Sequence, residues 1–300
     1  MRGACVRRLA ASRWHFQHGP IDLIINLDGH TQVAAQAIEE VFGEFSSLLT
    51  AMVACLPQLR QPASQIEPSE VFSRVSEDPM ASRVVELMLA AVAPHTDLFL
   101  TPMIAVAGSV GQAVLERLER PGLDRIIVNN GGDIALFLAA GQQWRGAITA
   151  DLNLAKPMPH LEVSAASSVR GIATSGWRGR SFSLGIADAV TVLADHANTA
   201  DAAATLIANA TNVESPAVAR APARTLDPDS DLGQRKVTID VNQLSDAEIT
   251  CAIQAGCEFA EQLLNAHHIR AYRIALANQT ASNQTSPDLL MSAGMSECSA

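Results

Sequence analysis

The chain has 300 residues, 48% of them hydrophobic, which is ample apolar surface for one large domain or two modest ones. Its formal charge is -10, from 31 acidic against 21 basic residues, and with no Lys/Arg run this excludes a nucleic-acid-binding face, which needs a basic surface to neutralise phosphates. Five cysteines (Cys5, Cys55, Cys251, Cys257 and Cys298), odd in number and without a CxxC pair, argue against a disulfide framework or a zinc site and for a reducing cytoplasm.

The N-terminal "MRGACVRRLAASRWHFQH" lacks the apolar run of about 7–15 residues that a signal peptide needs, and no span reaches the ~18 uninterrupted apolar residues of a membrane helix. The expected protein is therefore soluble and cytoplasmic, with no membrane partner, and residues 1–18 read as an N-terminal extension. "GPIDLIINLDG" (19–29) predicts a strand. A helix follows, with Val33, Ala37, Val41, Phe45, Leu48 and Met52 at helical spacing, and Pro57 is expected to stop it. "PQLRQPASQIEPS" reads as a connection, Met80 to Val92 as a second helix closed by Pro94, and "DLFLTP" as a strand running into Pro102. Proline suits the first turn of a helix, so "MIAVAGSVGQAVLERLER" is expected to be helical.

"RIIVN" and "IALFL" predict two strands of a meander around "NGGD", and "AVTVLA" (189–194) predicts another. Asn198 or Thr199 is placed to cap a helix over 200–211. "RKVTIDV" reads as a strand, "SDAE" (245–248) as a capping box opening a helix, and "IRAYRIALAN" as the final strand. Residues 279–300 are polar, low in complexity and read as a disordered tail. Without a regular βαβ rhythm the fold class is α+β, mixed largely antiparallel sheets packed with helices, in a single domain over 19–278 that could divide into two subdomains.

Three stretches carry candidate chemistry. Asp201 and Thr205 lie four apart near a helix start, so a carboxylate and a hydroxyl share one face, two hard oxygens that a magnesium ion could use beside waters and substrate phosphates; the alternative is a helix-dipole aspartate and a structural threonine. "VNNGGDIAL" (128–136) breaks a strand with Asn129, Asn130, Gly131 and Gly132 ahead of Asp133. It is either a plain hairpin turn or a place where a planar or phosphorylated ligand approaches bare backbone while Asp133 accepts from its hydroxyls or amines. "TSGWRGRS" (174–181) brings Thr174, Ser175, Gly176, Arg178 and Arg180 into one loop, the ingredients of a phosphate nest or else of an exposed arginine loop.

Two near-motifs are refused. "DPDSDLG" (227–233) alternates carboxylates like a calcium loop, but its glycine falls late and Thr238 stands where the bidentate glutamate belongs. "AGSVG" (107–111) approaches a nucleophile elbow, with Asp188 or Asp201 and His267 downstream, so a serine hydrolase acting through Ser109 stays as an alternative although Ser109 falls inside a predicted helix.

Taken in order, "HGPIDLII", "TPMIAVAGSV", "VNNGGDIAL", "GIATSGWRGRSFSLGIADAVTVLA", "ADAAATLIANA" and "DSDLG" resemble the ApbE-like superfamily, in an uncharacterised branch of it, over about residues 15 to 278. The best-understood members of that superfamily are magnesium-dependent FAD:protein FMN transferases. The resemblance implies an ApbE-like fold, a small-molecule partner that is a flavin or nucleotide, Mg2+ held by Asp201 and Thr205, and FAD or FMN beside Asp133 and its glycines; a homodimer is kept as a candidate assembly. The transferases' alanine-lysine-glycine step reads Val106, Ala107, Gly108 here, and their histidine-containing D-P-x-T-G segment is replaced by "RSFSLGIADAV". The readings that follow are a Mg2+-dependent flavin nucleotide transferase or pyrophosphatase acting on a phosphoanhydride, with no catalytic side chain assigned, and a non-catalytic flavin or nucleotide carrier.

Overall fold

The structure is a computed structural model that describes residues 3–147 and 160–283. Its frame is one nine-stranded sheet in the order β1-β2-β3-β4-β5-β8-β9-β12-β13, every neighbouring pair antiparallel. The strands are β1 (Cys5–Ala10), β2 (Arg13–His18), β3 (Ile21–Gly29), β4 (Leu123–Asn130), β5 (Asp133–Leu138), β8 (Gly171–Ser175), β9 (Ala189–Ala194), β12 (Ala271–Leu276) and β13 (Gln279–Ser282). Two-stranded sheets are made by β6 (Gln143–Ala147) with β7 (His160–Ser164) and by β10 (Val218–Pro222) with β11 (Lys236–Val241). The helices are α1 (Thr31–Leu59), α2 (Pro68–Val75), α3 (Pro79–Val92), α4 (Val106–Leu118), α5 (Ala197–Ala210), the short α6 (Ala223–Leu226) and α7 (Asp246–Asn265). The expected α+β class, built on antiparallel strands, is what the chain adopts.

Alternation along β3 sends Leu23, Ile25 and Leu27 into the interior, where they meet the apolar stripe of α1 at Val41, Phe45 and Leu48. By length and composition α1 is apolar enough to cross a membrane; here that apolar stripe is buried against the sheet. A second core lies between β9, β12, α5 and α7, and its alanine-rich α5 face (Ala200, Ala203, Ala204, Ala208) lets helix and sheet approach closely. Ser245 caps α7 in a full capping box with Glu248, as its sequence indicates.

The structure corrects the sequence reading in several places. Residues 5–18 are not an extension: they form the β1–β2 hairpin that adds two strands to the sheet, with Phe16 fully buried. Gln279–Ser282, read as the start of a tail, pair with β12, while 284–300 lie outside the described residues. "DLFLTP" is not a strand; its carbonyl at Leu100 accepts from Ala63 N–H, and a short 3-10 turn over Pro102–Ala105 leads into α4. α1 runs through Pro57 to Leu59, because a proline in the last turn forfeits only one backbone bond. α5 begins at Ala197 after His196 with no side-chain cap, and Asn198, placed as a cap, donates instead to Leu87 O at 2.9 Å.

Candidate functional site

A cavity of about 410 Å³ opens where the β4–β5 turn, the end of β8, the start of α4 and the middle of α5 converge. Asp133, Asp201 and Thr205 face it, together with Thr174, Ser175, Gly176 and Arg180 of the β8 end and the loop after it. Of the residues predicted for the site, these seven and Gly131 share one cavity. Asn129, Asn130, Gly132 and Arg178 are not on its wall. Asn129 accepts from Gly132 N–H at 2.9 Å and so shapes the turn; Asn130 donates to Ala107 O at 3.0 Å and ties the turn to the start of α4. Arg178 points away, with Nε 2.7 Å from Asp188 Oδ1 and its guanidinium 4.5 Å from the Trp177 ring centroid.

The chain folds this way locally because the turn needs left-handed backbone, supplied by Gly131 at φ 67 and Gly132 at φ 120. Gly131 has a second duty: the guanidinium of Arg180 lies where its Cβ would stand, so no side chain fits there without moving the arginine. Asp201, on the second turn of α5, is buried and accepts from Gly108 N–H at 2.8 Å, which sets a carboxylate against the electropositive start of α4. Thr205, one turn further, donates to Ser175 Oγ at 3.4 Å.

Burial pushes the Asp201 carboxyl well above the usual carboxylate range, and the neighbouring charge of Asp133 pushes it further; the N–H groups of Gly108 and Ala107 oppose this. Burial likewise raises Asp133 to about 7, against the pull of Thr174 N–H and the Arg180 charge. Both acids stand above their ordinary range, Asp201 in part because of Asp133, and with the Thr205 hydroxyl beside them they form a hard-oxygen site whose wall also carries Arg180 and Arg60. No cluster of three or more His, Cys, Asp or Glu exists among the described residues, so the donor set suits a cation that keeps waters and ligand phosphates in its shell.

Sequence reasoning missed part of the wall. Arg60 from the end of α1, Phe99, Leu100, Met103 and the loop Asp227–Leu232 all line the cavity. Asp231 accepts a hydrogen bond from Thr101, and Arg235 covers the ring of Phe99. The aspartate spacing of 227–231 is the signal in the sequence for this wall, although it lacks the glycine position and the glutamate of a calcium loop. The serine hydrolase arrangement is not assembled: Ser109 is fully buried inside α4 with no hydrogen-bond partner for Oγ among the described residues, Asp188 is engaged by Trp177 and Arg178, and His267 is exposed.

Known proteins extend the picture. A UPF0280 protein of Methanosarcina barkeri is 37% identical over 121 residues, 37% of this chain and 44% of that protein. A UPF0280 protein of Methanococcoides burtonii is 34% identical over 148 residues, 48% of this chain and 61% of that protein. The chain thus matches about half the length of these curated relatives. Among solved structures, the apo crystal structure of Pseudomonas stutzeri flavinyl transferase ApbE superposes with a TM-score of 0.50 at 15% identity, covering 98% of this chain and 99% of that one, a likeness of fold. The profile of the family described as AbpE bacteria matches residues 6–282, from the first hairpin to β13, and takes in every wall of the cavity; the chain belongs to that family.

Proposed function

We propose that the cavity binds a flavin or nucleotide through its phosphates together with Mg2+, and that the protein acts there on a phosphoanhydride, by FMN transfer or by hydrolysis. The observation that carries this reading is the pairing of Asp133 and Asp201 in one cavity, each pushed up by burial, which the Arg180 charge only partly offsets at Asp133. Leaving two buried acids without a cation is costly, and a divalent ion supplied with the ligand removes the cost. Asp133, Asp201 and the Thr205 hydroxyl would hold the metal, which supplies charge neutralisation at a pyrophosphate. Arg180, and Arg60 across the cavity, would meet phosphate oxygens; Arg180 can do so from the backbone of Gly131, where its planar fork has two donors on one side. Thr174 and Ser175 offer neutral donors to the same oxygens, and Phe99, Leu100 and Met103 form an apolar wall for a planar ring.

A second reading, a non-catalytic carrier, draws support from the wall itself: among the described residues none that lines it is a His, Cys or Lys, so general acid–base work would fall to the aspartates. The two readings separate on one experiment. Purified protein is titrated calorimetrically with FMN, FAD and ADP with and without Mg2+, and the mixtures are then assayed for FMN and AMP release from FAD. Mg2+-dependent binding with release supports the enzyme, binding without release supports the carrier, and no binding of any of the three overturns both. The free thiols of Cys5, Cys55, Cys251 and Cys257 support placing the chain in the cytoplasm.

A further inference from the structure

The loop after β8 carries two arginines two residues apart, and they part company: Arg180 turns onto Gly131 at the cavity while Arg178 turns out to Asp188. Asp188 is the hub of that outer side. One of its carboxylate oxygens accepts from Arg178 Nε at 2.7 Å and from Trp177 Nε1 at 3.2 Å; the other accepts from Ala277 N–H at 2.6 Å, in the turn between β12 and β13. Its backbone N–H donates to Ala275 O at 2.9 Å, and Trp177 N–H donates to Ala187 O at 3.0 Å. Gly176 sits so close that a Cβ there would strike the carbonyls of Asp188 and Ala187, which brings the loop's first residue hard against this anchor. The far end is held by Asn209, which accepts from Leu184 N–H at 2.9 Å. Between these anchors lie Gly179, Arg180, Ser181 and Phe182, all on the cavity wall.

We propose that Asp188 is a positioning residue for the ligand site: by holding Trp177 and Arg178 on the outer face it decides which of the two arginines faces the cavity, and presets Arg180 before any ligand arrives. Asp188 is absent from the cavity wall and acts through Arg180. A preset arginine binds a phosphate without first giving up loop freedom, whereas a loosened loop pays that ordering cost on every binding event. Ion-pair loss alone does not account for the arrangement, since Arg178 is half-exposed and such a pair adds little stability.

The inference rests on the proposed ligand site, so the test separates the two. Asp188→Asn is compared with wild type, alone and combined with Arg180→Lys, by titration with FMN and with ADP in Mg2+, and by amide hydrogen exchange. Asp188→Asn is expected to weaken binding about tenfold in the wild-type background and less than about twofold beside Arg180→Lys, because the two act through one contact. Equal losses in both backgrounds, the result of a merely structural role, overturn the proposal. Exchange over residues 176–182 is expected to rise while that of α5 stays protected; unchanged exchange in the loop also overturns it. Should wild type bind neither nucleotide, the site reading fails and the exchange result still decides whether Asp188 holds the loop. Arg178→Ala, which leaves Asp188 in place and removes only an exposed side chain, guards against a folding defect and is expected to raise loop exchange in the same segment.

Discussion

Under α1, Phe16 meets Phe42 with ring centroids 5.2 Å apart and Phe45 at 5.3 Å, and around them Leu23, Ile25 and Leu48 are fully buried. Beside α5 the chain instead buries Asp201 next to the half-buried Asp133 and borders them with Thr205, Arg180 and an open cavity. The first region fills its space with side chains that gain by leaving water; the second spends stability on charges that do not. A fold needs only the first kind of interior. The second is the kind of interior that the proposed ligand site requires.

That comparison can be broken most forcefully in the apolar region. Phe45→Ala removes the ring at the centre of the aromatic cluster and is expected to lower stability by about 3–5 kcal/mol in denaturant melts, while Mg2+ binding by the remaining folded protein is unchanged. Loss of metal binding with native stability would reverse the roles assigned to the two regions. Asp201→Asn acts the other way: wild type should gain about 2.7 kcal/mol at Mg2+ one hundred times Kd, and the variant should gain none. Without metal the same variant should melt higher than wild type, because the change removes a buried carboxyl that must either carry a charge or hold a proton its unfolded form has lost, and keeps an oxygen for Gly108 N–H; a lower melt without metal would contradict the cost assigned to that acid.

Arg180→Lys is expected to cost about 1.5–3 kcal/mol in FMN or ADP affinity with an unaltered melt, since an ammonium cannot reproduce the fork. Affinity equal to wild type would leave the loop as a solvated surface. A gentler probe is pH. Asp133 is raised to about 7 in the folded state, so it holds a proton that an unfolded carboxyl has already lost. Its contribution to metal-free stability is therefore best at low pH and declines as pH rises from about 4 to about 7. Mg2+ must displace the same proton, so Mg2+ affinity should climb from pH 6 to pH 8, by at most about tenfold per unit for each proton released, and the climb should flatten in Asp133→Asn. A flat profile in wild type would mean that Asp133 does not meet the metal. The smallest effect is expected at the exposed Arg145–Glu162 pair, where Arg145→Ala should change stability by less than about 1 kcal/mol and ligand binding not at all.

Much of the architecture was legible in the chain. The period of α1, the strand runs of β4, β5, β9 and β11 and the capping box of α7 are each written in local spacing, and each formed where expected. The edges were not. Arg13–His18 alternates polar and apolar residues, yet arginines flanking a short run read as a tail until β3 is there to pair with them. Leu98–Leu100 has strand composition, but the Leu100 carbonyl serves the Pro62–Gln65 turn and the side chains of Phe99 and Leu100 line the cavity.

What the sequence by itself determined about this protein is the set of parts: the apolar faces of its helices and strands, glycines where the backbone must turn left-handed, and an aspartate four residues before a threonine on one helix face. Family membership is also carried there, because it rests on ordered stretches of sequence. Only the tertiary structure decided which parts meet. It brought Asp133 across to Asp201 from a turn 68 residues earlier, swung the Asp227–Leu232 loop onto the cavity, and sent Arg178 outward to Asp188 while Arg180 faced in. The physical reason is that local spacing encodes faces, which depend on backbone period alone, whereas a site depends on burial and charge contributed by segments far apart in the chain, and those exist only once the sheet has closed around them.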